Sequence, residues 1–202
     1  MKAVVKQVEF PAGRRILVIS DIHGNLPWFQ ALLAKAGFSR EDILVLVGDL
    51  VEKGRDSLAT LRYIMELSAT HTVYALCGNC DNLAVDFIYG NGELGRDFYR
   101  FYLSVWGERA LILQMAAEAG MEVRGPGDLP GLRMLLLERF RSELEFLRSL
   151  PTILESEHLV FVHGGVPSYA HMEELDAWQC MKNDDFLGQG RVFPKYCVVG
   201  HW

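Results

Sequence analysis

Five short runs of aliphatic and β-branched residues, each stopping abruptly on a polar loop, constrain this chain more than any other feature. Residues 15–20 (RILVIS) stop at Asp21, Ile22, His23, Gly24 and Asn25, and residues 43–47 (ILVLV) stop at Gly48 and Asp49. Residues 72–76 (TVYAL) run into Cys77, Gly78, Asn79, Cys80, Asp81 and Asn82. Residues 158–162 (HLVFV) end at His163, Gly164 and Gly165, and residues 196–199 (YCVV) end at Gly200 and His201. The runs at 15–20 and 43–47 read as strands buried on both faces. Between the first two, residues 26–36 carry apolar side chains at helical spacing, with Pro27 in the first turn and Gly37 just past the end. Between the second and third, residues 55–69 place Leu58, Leu61, Ile64 and Met65 on one helical face. Strand, loop and helix in alternation predict βαβ units and a parallel sheet. Each polar loop then lies at the carboxyl end of a strand, the edge where open α/β sheets bind ligands.

From 83 to 150 the strand pattern gives way to helical spacing, most clearly over 134–150, with glycine and proline clustered around 124–131. This stretch reads as a mainly helical insertion within a single domain spanning 1–202. The 202 residues are half apolar and 23% charged, an ordinary globular composition. A formal charge of −6 argues against a general nucleic-acid binder. No apolar run approaches the roughly 18 residues needed to cross a bilayer, and the first fifteen residues lack the apolar stretch of a signal peptide. Four irregularly spaced cysteines do not suggest a disulfide framework. The expected compartment is cytoplasmic.

The five strand ends present Asp21 and His23, Asp49, Asn79, His163 and His201. Any one of these alone is better explained as a turn former, a helix cap or a buried histidine. Ligand-type residues at all five ends are not explained by capping. Two carboxylates, three imidazoles and an amide carbonyl make a mixed oxygen and nitrogen donor set. Such a set suits two divalent ions of the Mn, Fe or Zn kind better than Ca or Mg, and a carboxylate such as Asp49 can bridge two ions.

The series D-I-H-G-N, G-D-L-V-E-K-G, G-N-C-D, V-H-G-G and G-H-W, in this order from residue 15 to the end, resembles the motif ladder of calcineurin-like metallophosphoesterases. V-H-G-G and G-D-x-V-x-x-G are most similar to the branch of serine/threonine phosphoprotein phosphatases and symmetrical diadenosine tetraphosphatases. The resemblance implies an α/β fold with a β-sandwich core flanked by helices. It implies that Asp21 and His23 bind one metal, that Asp49 bridges, and that Asn79, His163 and His201 bind the second. It further implies hydrolysis of phosphate esters or phosphoanhydrides by a metal-bridging hydroxide. The substrate would be a phosphorylated small molecule, a nucleotide or a phosphoprotein. In the resembled families further strands follow the G-H motif, which implies either that this is a truncated version of a longer protein, with C-terminal strands missing from the sequence, or that its second sheet is reduced.

At Cys80 the resembled enzymes carry the histidine taken to protonate the leaving group. Its usual carboxylate partner matches Glu52, and the usual phosphate-binding arginine matches Lys53, which keeps the charge but not the bidentate fork. Cys80, Glu52 and Asp49 are therefore expected among the catalytic residues, with Asp81 as an alternative acid. Lys53, Asn79 and Arg191 are expected substrate contacts, with Arg96, Arg100 and Arg124 as weaker candidates. G-N-C-D is itself similar to small prokaryotic phosphodiesterases, which keeps that activity open beside a non-catalytic phosphoryl- or metal-binding module. Cys77 and Cys80 also spell C-x-x-C, without the second pair that a zinc site needs. Gly90 to Gly95 spell G-x-G-x-x-G, which needs a preceding strand, for which residues 85–89 are the candidate. The aromatic run Phe98, Tyr99, Phe101, Tyr102 and Trp106 could stack a nucleobase, though helical core packing is the better reading.

Overall fold

The computed structural model describes residues 1–90, 102, 105–190 and 193–201. Strand β1 (Val5–Gln7) is followed by β2 (Ile16–Ile19), helix α1 (Leu26–Ala36), β3 (Ile43–Leu46), α2 (Ser57–Thr70) and β4 (Thr72–Ala75). Helices α3 (Asn79–Tyr89), α4 (Leu111–Glu118), α5 (Leu129–Arg139) and α6 (Arg141–Ser149) come next. Strands β5 (Ile153–Glu155) and β6 (Leu159–Val162), the short helix α7 (Ala177–Met181) and strand β7 (Tyr196–Val199) complete the main elements.

The strands form two sheets, a parallel one in the order β2-β3-β4 and a second in the order β1-β5-β6-β7. In the second sheet β1 runs parallel to β5 and β7 parallel to β6, while β5 and β6 are antiparallel. The unbroken apolar run at 43–47 has its explanation here. Ile43, Val45 and Val47 pack with Leu154 and Phe161 between the sheets, and Leu44 and Leu46 pack with Phe29, Leu61 and Ile64 of the helices. Both faces of β3 are therefore dry, as the period-two geometry of a strand requires when layers cover both sides. The outer side of the second sheet has its own apolar cluster, which includes Ile153, Val160, Val162, Met172 and Phe186.

Helix α1 has the predicted bounds. Gly37 takes a left-handed conformation (φ 60°) and its N–H closes on the carbonyls of Ala34 and Leu33. Residues 15–20 depart from expectation. Among the described residues β2 pairs only with β3, so it is an edge strand, and Val18 is 42% exposed. The two three-residue strands β1 and β5 are too short to show a period in the sequence. Residues 134–150 are two helices that break at Phe140 (φ −124°, ψ 30°). Residues 85–89 belong to helix α3, so the glycine-rich G-x-G-x-x-G lacks the strand a dinucleotide site requires. Its residues 91–95 lie outside the described residues.

The helical region is pinned to the core by Arg62 of α2. Its Nη1 and Nη2 each donate to Glu118 at 2.8 Å and its Nε donates to Glu143 at 2.9 Å. No helix among the described residues is long and apolar enough to cross a membrane.

Candidate metal centre

The polar loops after β2, β3, β4, β6 and β7 meet at one end of the sandwich and are hydrogen-bonded to one another. Asp21 N–H donates to Gly48 O (3.1 Å), His23 N–H to Asp49 O (2.9 Å), and Gly200 N–H to His163 O (2.9 Å). Gly48 (φ 77°) and Gly78 lie back to back, and a Cβ on Gly78 would fall 2.3 Å from Asp49 Oδ1. Glycine is needed there for close approach.

Asp49 is the centre of the arrangement and is almost completely buried. Its Oδ1 accepts the Cys80 N–H (2.9 Å) and lies 3.3 Å from His163 Nε2. Its Oδ2 lies 3.5 Å from His23 Nε2. The carboxylate thus faces two groups of donors. His23, Asp49 and Cys80 form one, and Asp49, His163 and His201 form the other, each with donor atoms within 4.8 Å of one another. Asp21 Oδ1 stands 3.7 Å from His23 Nε2, while its Oδ2 is held by Ser20 Oγ (2.5 Å) and the His201 N–H (3.0 Å). Asp21, His23, Asp49, Asn79, His163 and His201 are all brought to this one place.

Two buried atoms at the centre, Asn79 Oδ1 and His163 Nε2, have no hydrogen-bond partner among the described residues. Leaving a buried acceptor unsatisfied is costly, and both atoms are good ligands. His163 Nδ1 donates to Val47 O (2.7 Å). That bond places the proton on Nδ1 and leaves the Nε2 lone pair turned to the centre. Although burial works against it, Asp49 draws the His163 imidazole above its usual value. Against its own burial, Asp49 is held well below the carboxylate range by His163 and the Cys80 N–H. Carboxylates, imidazoles and an amide oxygen thus converge as donors that could hold a metal ion.

Lys53 points inward, with Nζ 3.0 Å from His23 Nε2 and 4.0 Å from Asp49 Oδ2. Cys80 is 1% exposed, and Asn79 Nδ2 donates to its Sγ at 3.4 Å. Burial and the Asp49 carboxylate push its thiol far up, so it is a neutral and weak donor.

Two residues expected among the catalytic groups are placed otherwise. The Glu52 carboxylate turns away from the centre, accepting from Tyr102 Oη and from the Leu111 N–H (2.9 Å). With cysteine at 80 there is no imidazole for Glu52 to orient, and its carboxylate joins the helical region to the β3 loop instead. Burial raises it to about 8. Asp81 is fully buried and accepts from the N–H groups of Leu50 (2.9 Å), Val51 (3.1 Å) and Gly78 (2.8 Å). It clamps two of the loops and does not face a substrate. Arg124 pairs with Glu122 at an exposed position. Tyr102 and Trp106 pack edge to face in the core, as helical packing predicts. Arg191, Arg96, Arg100, Phe98, Tyr99 and Phe101 lie outside the described residues.

Asp184 was not foreseen. Its Oδ1 lies 2.8 Å from His201 Nε2 and 2.7 Å from Lys182 Nζ. No spacing rule links a carboxylate to a histidine seventeen positions away, so only the fold reveals it. Ser20, which orients Asp21, had a visible signal, a polar residue closing an apolar run directly before the ligand.

A two-layer sandwich that gathers carboxylates, imidazoles and an amide at its strand ends, around one shared aspartate, defines a class of metal-centred α/β domains. The chain belongs to the calcineurin-like phosphoesterase family, which it matches over residues 14–202. It is 27% identical over 188 residues to the symmetrical bis(5'-nucleosyl)-tetraphosphatase of Hamiltonella defensa, a match covering 91% of this chain and 55% of that protein. It is 33% identical over 84 residues to serine/threonine-protein phosphatase 1 of Salmonella typhimurium, covering 41% of this chain and 37% of that one. The chain therefore spans only about half, or less, of the length of these relatives. Among solved structures, a candidate diadenosine tetraphosphatase superposes with a TM-score of 0.61 at 20% identity, covering 98% of this chain and 79% of the other. The cold-active protein-tyrosine phosphatase of a Shewanella species superposes at 0.55 and 17% identity, covering 86% and 47%. Both likenesses speak for the fold.

Proposed function

We propose that this chain is one metallophosphoesterase domain, with 83–150 as a helical insertion, that hydrolyses phosphate esters or phosphoanhydrides with two divalent ions of the Mn, Fe or Zn kind. The observation that carries this reading is the pair of donor groups sharing Asp49, with Asn79 Oδ1 and His163 Nε2 unsatisfied beside it. Asp21, His23 and Asp49 would hold one ion, and Asp49, Asn79, His163 and His201 the other. Divalent ions there supply Lewis acidity, which neutralises phosphoryl oxygens and acidifies water.

The chain's own residues do the rest. Asp49 sets the spacing of the two halves, and the Val47 carbonyl and Asp184 orient His163 and His201. Lys53 offers its ammonium to a phosphoryl oxygen as a point charge. The Asn79 amide is a second contact for the phosphoryl group, and Arg191 a third. Since Cys80 is a poor proton donor, substrates whose leaving group departs without a proton are favoured. Those are phosphoanhydrides, as in a dinucleoside polyphosphate, and aryl esters, ahead of alkyl phosphoproteins. General acid help is worth about 10²–10⁴-fold, so the preference is large. Four unpaired cysteines fit a reducing cytoplasmic setting.

The test is a screen of the metal-reconstituted protein against aryl phosphates, a bis-aryl diester, diadenosine tetraphosphate and a phosphopeptide. Turnover of aryl phosphates and the tetraphosphate well above that of alkyl esters is expected. Equal rates across a leaving-group series would remove the role given to Cys80. Selective turnover of the diester would favour the phosphodiesterase reading. Silence on every activated substrate, with metal bound, would favour a binding module.

A further inference from the structure

We infer that Cys80 is a sulfur ligand of the ion held by His23 and Asp49, which makes that half of the centre selective for thiophilic ions such as Zn²⁺, Co²⁺ or Cd²⁺ over Mn²⁺ and Mg²⁺. The inference rests on the metal-centre reading above and deepens it. Cys80 Sγ, a ring nitrogen of His23 and a carboxylate oxygen of Asp49 lie within 4.8 Å of one another. Two ligands on a tetrahedral ion with Zn–S about 2.3 Å and Zn–N about 2.0–2.1 Å stand about 3.5 Å apart. His23 Nε2 and Asp49 Oδ2 already have that spacing, at 3.5 Å. Sulfur therefore has to close by little over an ångström at most.

Three further observations favour sulfur as a ligand over sulfur as filler. Cys80 lies in the first turn of α3 (Asn79–Tyr89), and its N–H donates to Asp49 Oδ1 (2.9 Å), which fixes the residue against the shared carboxylate. Asn79 Nδ2 donates to Sγ, the outer contact that steadies a metal-bound thiolate. The fully buried His163 next to the shared Asp49 keeps Nε2 without a hydrogen-bond partner among the described residues, which marks the surroundings as suited to a cation. On coordination the S–H proton is replaced by the ion and leaves to solvent. Thiolate among the donors shifts preference to Zn-like ions, whereas a purely oxygen and nitrogen shell also accepts Mn.

The experiment is a Co²⁺ titration of the chelator-stripped protein followed by absorption. Visible d–d bands report bound cobalt, and near-ultraviolet charge transfer reports sulfur on it. Wild type and Cys77→Ser are expected to show both. Cys80→Ser is expected to keep the visible bands, lose the charge transfer, and bind Zn²⁺ and Co²⁺ at least about 10-fold more weakly, the least that loss of even an outer contact costs, with Mn²⁺ affinity little changed. Charge transfer persisting in Cys80→Ser overturns the inference. Visible bands without charge transfer in wild type overturn it too, and leave the metal centre standing. No cobalt binding at all overturns the metal reading and the inference together. Should Cys80→Ser fail to fold, ¹¹³Cd NMR of wild type decides alone, since a sulfur ligand moves the resonance far downfield of an all-oxygen and nitrogen site.

Discussion

Asp21, His23, Asp49 and His201 hold φ values of 56°, 49°, 51° and 71°, a region L residues rarely enter. Each such residue costs about 1–3 kcal/mol and persists only where its surroundings over-determine it. Glu52 and Lys53 share the conformation, at 72° and 64°. The strain thus falls mainly on the loops that form the centre, with His171 (φ 55°) the exception among the described non-glycine residues. His201 gains a further constraint from Asp184, and Asp184→Ala is expected to weaken metal binding about 10–100-fold, as loss of an outer ligand contact does elsewhere. Isothermal titration with Zn²⁺ checks it, and an unchanged affinity would show that Asp184 is only a surface neighbour. Glu52 makes a different prediction. Burial raises its carboxyl from 4.5 to about 8. The folded chain therefore keeps a proton that the unfolded chain loses, so its contribution to stability is full below about pH 4.5 and is lost as pH rises through about 8. Glu52→Gln has no proton to lose. Denaturant unfolding of the metal-free protein between about pH 5 and pH 8 is expected to show a shallower fall in stability for the variant than for wild type.

At the level of elements, the site depends on loops that fit into one another. Gly78 has an ordinary φ and is required for space alone, because its Cα faces the Asp49 backbone and carboxylate. Gly78→Ala is expected to cost about 1–3 kcal/mol by overpacking and to abolish cobalt uptake by displacing Asp49. A variant with wild-type melting and uptake would mean that the loops yield more easily than their packing implies. The helix α1 and the strand β3 were legible because their signals are local. Pro27 and Gly37 punctuate the helix, and an unbroken aliphatic run marks a strand covered on both faces. The edge position of β2 was not legible, since pairing partners are set by chain topology and not by a strand's own residues. The break at Phe140 also went unseen, because the apolar spacing of 134–150 continues across it.

Over the whole molecule, five separate loops are expected to act as one unit once ions bind. An ion that binds the folded chain alone stabilises it by about 2.7 kcal/mol at a hundredfold excess over Kd. For a chain of this size each kcal/mol moves Tm by about 2–4 °C. Addition of Zn²⁺ or Mn²⁺ is thus expected to raise the melting temperature by about 5–10 °C, and chelation to reverse it. A melting curve indifferent to every divalent ion would count against the centre. Arg62, which joins α2 to Glu118 and Glu143, ties the helical region into the same cooperative unit.

By itself the sequence determined which residue types stand at the strand ends and in what order, because a polar loop after an apolar run is written in consecutive residues. Helical spacing and the family resemblance followed from the same local patterns. Only the tertiary structure decided what each polar residue faces. It turned Glu52 into the helical region, buried Asp81 as a clamp, set Asp184 behind His201, and put Cys80 beside His23 and Asp49. Those are contacts between residues up to scores of positions apart, and their geometry comes from how sheets and helices pack, which no run of neighbouring residues encodes.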